Sequence, residues 1–390
     1  MSFTRAPRSR YRWTVLAAGV VAQASYAATG LGLPAIAPQI RSDYDLTLTQ
    51  VGVVLAASFL GSVPTLLLWG LVADRIGERF VMSVGLAGAA GALVWAGYTT
   101  SFLPLVVALS LAGGVAAGVN SATGRAVMQW FARDERGLAL GIRQMAVPLG
   151  GAVGAVCLPL LESHVSLRAA FIGLAVASVV GAVVAFALIR VEPSEEEASP
   201  ARPLRDRRVW LICVGSTFFV TTQLSLLGFF VLFLHDHRGV STAVAAAALA
   251  VTQVLGGIAR IALGRWSDRL GMRIAPLRWV GLGIAISVAL TTVLLNATPW
   301  VVLPLLVVAA TFGLSWNGLS FTATAETAGR ARSGAAIGLQ QTFLAVGGLV
   351  APIVFAAVVH SVSWRAAFAL ASASPLVGYA LLSPLAERRP

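Results

Sequence analysis

Gly70-Leu-Val-Ala-Asp74-Arg75-Ile-Gly77-Glu78-Arg79 comes back 194 positions later as Gly264-Arg-Trp-Ser-Asp268-Arg269-Leu-Gly271-Met-Arg273. Each copy follows a long apolar segment and keeps the order G-x-x-x-D-R-x-G-x-R. Two copies half a chain apart mark a duplication. Outward from them, further echoes are offset by 197: Leu167-Arg-Ala-Ala-Phe171 against Trp364-Arg-Ala-Ala-Phe368, Asn120 against Asn317, and Gly141-Ile-Arg-Gln144 against Gly338-Leu-Gln-Gln341. Between the halves, residues 191–208 hold a polar run rich in Glu and Pro that cannot bury enough apolar surface to fold alone. The organisation expected is a first unit over 1–190, a linker over 191–208 and a second unit over 209–390.

The solvent for both units is lipid. Of the 390 residues 57% are hydrophobic and 11% charged, with a mean hydropathy of +0.83, which leaves too little polar surface for a water-facing domain. Twelve segments, near 13–35, 49–72, 80–99, 102–124, 137–161, 169–190, 209–234, 241–264, 275–296, 299–322, 333–358 and 365–385, can each cross a hydrocarbon core of ~30 Å as a helix of ~20 residues. Backbone groups in lipid must be satisfied within the segment, so the spans are helical. The fold class predicted is an all-α membrane protein of twelve transmembrane helices, arranged as two pseudo-symmetric six-helix bundles.

The net charge of +12 does not point to nucleic acid, because the 28 basic residues are all Arg and lie in short loops between apolar runs. They are distributed unequally. Twenty-two fall on one side of the membrane, four (Arg41, Arg168, Arg238 and Arg365) on the other, and Arg143 and Arg260 lie inside segments. Positive charge stays on the cytoplasmic side, so both termini are expected there, in a bacterial cytoplasmic membrane. The Arg-rich start leads into a long first segment with no small-residue cleavage site after it, and reads as a span rather than a signal peptide. Cys157 and Cys213 lie within segments without metal or redox spacing, and no phosphate-binding or metal motif occupies a loop. No enzyme activity, cofactor or metal is expected.

The duplicated G-x-x-x-D-R-x-G-x-R pattern resembles the signature loop of the major facilitator superfamily of secondary transporters, which stands between spans 2 and 3 and again between spans 8 and 9. The likeness covers nearly the whole chain. It implies alternating access, in which two halves rock about a central site, with a small-molecule substrate, a coupling ion such as a proton, and a monomeric assembly. It also implies a gate built from Gly70, Asp74, Arg75, Gly77 and Arg79 with Gly264, Asp268, Arg269, Gly271 and Arg273. A carboxylate just past one helix can sit at the positive start of another. In the superfamily each Asp meets a helix of the opposite half, span 11 or span 5, while Gly70 and Gly264 would let helices approach closely. Glycines crowd spans 5 and 11, which flank the interface between the halves. Tight packing and smooth rocking explain them equally.

The resemblance places substrate residues near the midplane on spans 1, 4, 7 and 10 and their neighbours, where polar groups are costly unless used or paired. Gln23 and Tyr26 in span 1 are matched by Gln223 in span 7, offset from Gln23 by 200, Asn120 mirrors Asn317, and Gln144, Gln340 and Gln341 lie in spans 5 and 11. Taken singly, each is more often explained by a bond to a neighbouring helix; as a paired set they favour a substrate site. Arg143 lies about two turns inside span 5, and its guanidinium fork suits an anion; snorkelling or an Asp of the gate would satisfy it too. Arg260, about a turn from the expected end of span 8, is expected to snorkel or to pair with Glu326 or Asp268. All 16 acidic residues fall in loops or at span ends, and span 4 lacks the mid-span Arg of cationic-drug exporters. The stretch Trp130-Phe131-Ala-Arg-Asp-Glu-Arg136-Gly137-Leu-Ala-Leu-Gly141 resembles the W-F-x4-R-G-x-A-x-G loop of branches that carry organic anions, monocarboxylates, nitrate or cyanate. The cargo expected is a small organic or inorganic anion, with proton-coupled export of drugs or neutral metabolites as the alternative.

Overall fold

The computed structural model describes residues 10–131, 136–190, 206–328 and 333–385. Twelve helical spans long and apolar enough to cross a membrane follow one another, as the hydropathy pattern predicts. The first is α1 (Tyr11–Gly32), which continues through a short 3-10 turn (Leu33–Ile36) into α2 (Ala37–Asp43). Pro34 and Pro38 stand at the starts of the last two pieces, where a missing N–H breaks no established bond. Next come α3 (Leu48–Ile76), α4 (Glu78–Tyr98), a fourth span in two pieces, α5 (Phe102–Ala116) and α6 (Gly118–Trp130), then α7 (Arg136–His164) and α8 (Leu167–Leu188). The second half repeats the order with α9 (Arg207–Leu232), α10 (Thr242–Leu270), α11 (Ile274–Val293), a divided tenth span α12 (Pro299–Ser315) and α13 (Asn317–Ala328), then α14 (Ser333–Ser361) and α15 (Trp364–Leu381). Most of the expected linker lies outside the described residues; Asp206 caps α9 by accepting from the Arg208 N–H at 2.9 Å.

The duplication is written in the packing. α1 lies on α7 and α8, α3 on α5, and α4 on α5 and α8; the second half repeats each pair as α9 on α14 and α15, α10 on α12, and α11 on α12 and α15. The halves meet along two seams, α7 against α10 and α3 against α14. The capping follows the same symmetry. Ser166 accepts from the Ala169 N–H at 3.2 Å, and Ser363, 197 positions on, accepts from Ala366 at 3.1 Å. In the signature loops Gly77 takes φ 94° and Gly271 φ 63°, a conformation open to glycine and strained for most other residues, which is why the motif has Gly there.

The glycine pairs of spans 5 and 11 pack closely both within a half and across the seams. A Cβ on Gly150 would come within 2.2 Å of the Ala24 carbonyl of α1 in the same half, whereas one on Gly151 would strike Gln253 of α10 across the seam. Their counterparts repeat this: Gly347 faces Val220 and Thr217 in its own half, and Gly348 faces Phe59 of α3 in the other. Gly264 behaves otherwise than expected. Nothing lies within 4 Å of where its Cβ would be, so it is not a close-packing glycine. Outside, large apolar side chains such as Val183, Phe186 and Ile286 stand 60% exposed, the surface that lipid solvates.

Candidate functional site

The site forms where the fourth and tenth spans are interrupted. Ala117 separates α5 from α6 and Trp316 separates α12 from α13, so that Asn120 and Asn317 stand at the starts of the second pieces. Carbonyls near each interruption are taken up by neighbouring helices, as backbone at membrane depth requires. Gly113 O accepts from Ser62 at 3.0 Å, and Gly114 O from Thr65 and the Trp69 indole at 2.8 Å each. Leu314 O accepts from Arg260 Nε at 2.7 Å and from Asn317 Nδ2 at 3.3 Å.

Arg143 neither snorkels nor reaches a gate carboxylate. Its side chain is buried on the inner face of α7, where Nε donates to Thr123 Oγ1 at 3.1 Å, Nη1 to Gln144 Oε1 at 3.4 Å, and Nη2 to Gln23 Oε1 at 3.3 Å and to the side-chain and backbone oxygens of Asn120. Every partner is neutral. A guanidinium has only donors, so it fixes those three amides with their oxygens turned toward it. The expectation for Arg260 is overturned: it is buried too, and it meets neither Glu326 nor Asp268 but the backbone oxygens of Leu314 and, across the seam at 3.2 Å, Gln144. The cause is length, since α10 runs on to Leu270, ten residues past Arg260 and about 15 Å at ~1.5 Å per residue.

Between the halves lies a cavity of about 170 Å³. Of the nine residues expected at a substrate site, seven line it: Gln23, Tyr26, Asn120, Gln144, Gln223, Asn317 and Gln341. Arg260 lines it as well, while Arg143 stands behind Gln23, Asn120 and Gln144. Asn317 Nδ2 reaches Gln223 Oε1 at 3.1 Å, and Tyr26 OH shares a 3.3 Å hydrogen bond with Ser62. Gln340 is the correction. It is fully buried, its Nε2 donates to Ser320 Oγ, and Ser320 in turn meets Ser216 of α9, because one residue's rotation on α14 turns it off the cavity that Gln341 faces. The sequence reading missed Thr123, which resembles any helix threonine, and the apolar wall of Phe59, Leu224 and Leu344, which resembles core.

At the end carrying the signature loops, ties between described residues join side chains of the same half. Glu78, buried beside Gly77, meets Arg125 Nε at 2.6 Å and Gln129 Nε2 at 3.0 Å. In the second half the polarity is reversed: Arg273 meets Glu326 at 3.0 Å and Asp268 of its own loop at 2.5 Å. Asp268 thus has a partner in its own half; residues 132–138 at the start of span 5, where its contact in the opposite half is expected, lie outside the residues whose surroundings are described. Arg79 lies 4.2 Å over the Phe186 ring, and Arg269 is exposed. Gly70, Asp74 and Arg75 lie in α3 but outside the residues whose surroundings are described. At the opposite end Arg41, following α1, makes an ion pair with Asp236 of the second half, Asp236 takes a 2.8 Å bond from His235 Nδ1, and Gln39 donates to Thr242 at 3.4 Å.

Comparison with known proteins places this architecture. Residues 18–352 match the sequence profile of the Major Facilitator Superfamily. An uncharacterized MFS-type transporter of Mycobacterium tuberculosis is 34% identical over 97% of this chain and 87% of its own length. A probable sulfoacetate transporter of Cupriavidus necator is 27% identical over 82% of this chain and 80% of that one. Among solved structures, a bacterial homolog of the human lysosomal transporter Spinster, in an inward-facing and occupied conformation, shares the fold with a TM-score of 0.80 over 97% of each chain at 16% identity.

Proposed function

The chain belongs to the Major Facilitator Superfamily and is a multi-pass membrane transporter, not an enzyme; on that premise we propose that its cargo is a small organic or inorganic anion held between the halves. One observation carries this: two guanidiniums are buried at the cavity, and among the described residues no carboxylate touches either. A charged Arg at mid-membrane costs at least ~2.5–3.5 kcal/mol, and hydrogen bonds to neutral amides and carbonyls offset only part of that. A neutral cargo leaves both charges uncompensated and a cation adds repulsion. An anion ~4 Å from one guanidinium gains on the order of 4 kcal/mol at an effective dielectric of ~20. Arg260 is the direct contact, and Arg143 is a positioning residue that turns the N–H groups of Gln23, Asn120 and Gln144 toward the cargo.

The alternative, export of drugs or larger neutral metabolites, fits the space poorly. A cavity of about 170 Å³ is below the ~300–1,000 Å³ of drug-sized sites. In this reading units 1–190 and 209–390 rock about the cavity, the arginine-rich end and both termini face the cytoplasm, and the signature loops, with Asp74 and Asp268 at their centres, gate that end. The test is calorimetric titration of the purified transporter with matched small anions, cations and neutral solutes. Arg260→Gln should weaken anion binding at least tenfold and Arg143→Gln by a similar or smaller factor. Binding of cations or neutral solutes that neither variant changes would sink the anion reading and put export first.

A further inference from the structure

The cavity's polar groups are unevenly spent, and this selects among anions. The oxygens of Gln23, Asn120 and Gln144 are committed to Arg143. Gln223 Oε1 is committed to Asn317 Nδ2, and the orientation of Asn317 is set by the Leu314 carbonyl, which can only accept. Gln23, Asn120, Gln144 and Gln223 therefore offer N–H donors while their side-chain oxygens are used, and Asn317, whose two N–H bonds are spent, offers its Oδ1 instead. A carboxylate or sulfonate wants the four donors; among these five amides a hydroxyl, which must also donate, finds an acceptor at Asn317 Oδ1 alone.

The opposite wall carries an apolar patch beside Ser58, Ser62 and Gln341. Phe59 of α3, Leu224 of α9 and Leu344 of α14 line the cavity, and the first two converge on one point of α14, since a Cβ on Gly348 would meet Phe59 at 2.7 Å and Leu224 at 3.0 Å. The guanidiniums sit at the α7–α10 seam and the apolar patch, with Leu224 of α9 against it, at the α3–α14 seam, so the charge lies on one side of the cavity and the bulky apolar side chains on the other.

Building on the anion reading, we propose that the cargo is a small amphiphilic organic anion, an aryl or short-alkyl carboxylate or sulfonate whose charged end meets the α7–α10 seam and whose hydroxyl-poor body lies against Phe59, Leu224 and Leu344. Polyhydroxylated sugar acids of equal charge are selected against, because each hydroxyl brought to that patch loses its hydrogen bonds to water.

Isothermal titration of the full chain in detergent with benzoate, benzenesulfonate and galacturonate separates the possibilities. The expected result is that benzoate or benzenesulfonate binds at least tenfold more tightly than galacturonate, and that Leu224→Asn narrows the gap while Arg260→Gln weakens all three. Galacturonate binding as tightly as benzoate, or more so, overturns this inference and leaves the anion reading standing. Failure of all three to bind, with neutral solutes binding instead, overturns both. The wild-type comparison decides the question even if Leu224→Asn does not fold.

Discussion

Gln144 touches both buried arginines with different atoms: its side-chain oxygen accepts from Arg143 and its backbone oxygen from Arg260 of the other half. The site thus hangs on single acceptors. Thr123 shows the cost of losing one, because it takes the only bond of Arg143 Nε. Thr123→Val, nearly the same shape, leaves a charged donor unsatisfied and should cost ~1.5–3 kcal/mol, read as a lower midpoint of thermal unfolding in detergent. Gln253 predicts the opposite sign. Both of its amide atoms lack a partner although it is fully buried at the α7–α10 seam, so Gln253→Met should raise the melting midpoint. Residues of the first kind were partly legible: the duplication singles out Gln23, Asn120, Gln223 and Asn317, because polar groups kept in both halves at membrane depth stand out against apolar runs. Arg260 was not legible, since its reading depends on where α10 ends, and loop boundaries are set by tertiary contacts that hydropathy does not carry. Nor was the apolar wall, for Phe59, Leu224 and Leu344 differ from core residues only in facing a void.

At the scale of helices, close approach of backbones replaces the hydrophobic drive that lipid removes. α3 crosses α5 so tightly that a Cβ on Gly113 would stand 2.1 Å from the Ser58 carbonyl oxygen, and one on Gly61 1.7 Å from that of Ser110. Backbone cannot swing aside as a side chain can. Gly113→Ala should therefore cost ~1–3 kcal/mol or more through overpacking, measurable as a lower melting midpoint and lower yield of folded transporter. Gly124→Ala, in α6 with nothing within 4 Å of its would-be Cβ, is the control and should be neutral or stabilising by up to ~1 kcal/mol. The spans themselves were readable because twelve apolar runs in lipid have only the helical solution. The interruptions at Ala117 and Trp316 were not readable, since neither residue breaks a helix by propensity. What surrounds them is hydrogen bonding from other helices, the Thr65 and Trp69 donors on Gly114 O and Arg260 on Leu314 O, which no local pattern announces.

Across the whole molecule, charge joins the halves at the end opposite the signature loops. At the signature-loop end the described ties, Glu78 with Arg125 and Arg273 with Glu326, lie within single halves, whereas at the opposite end Arg41 and Asp236 join one half to the other. The signature loops announce themselves by repetition. Arg41 and Asp236 share no motif and sit 195 positions apart, so their pairing became visible only in three dimensions. With side chains 36% and 24% exposed, the pair is worth ~0–1 kcal/mol by itself. That is small against folding but large against a rocking equilibrium, in which 1 kcal/mol shifts populations about fivefold. Asp236→Asn should thus leave the melting midpoint nearly unchanged and loosen the joined end. Spin labels at Ser42 and His237, both exposed there, report the separation directly. Longer and broader distances are expected in Asp236→Asn, with recovery in the Arg41→Asp and Asp236→Arg exchange, where the attraction is restored with its polarity inverted. Distances unchanged by either variant would mean that the seams α7–α10 and α3–α14 close this end without help from charge, and that the pair is only a solvated surface contact.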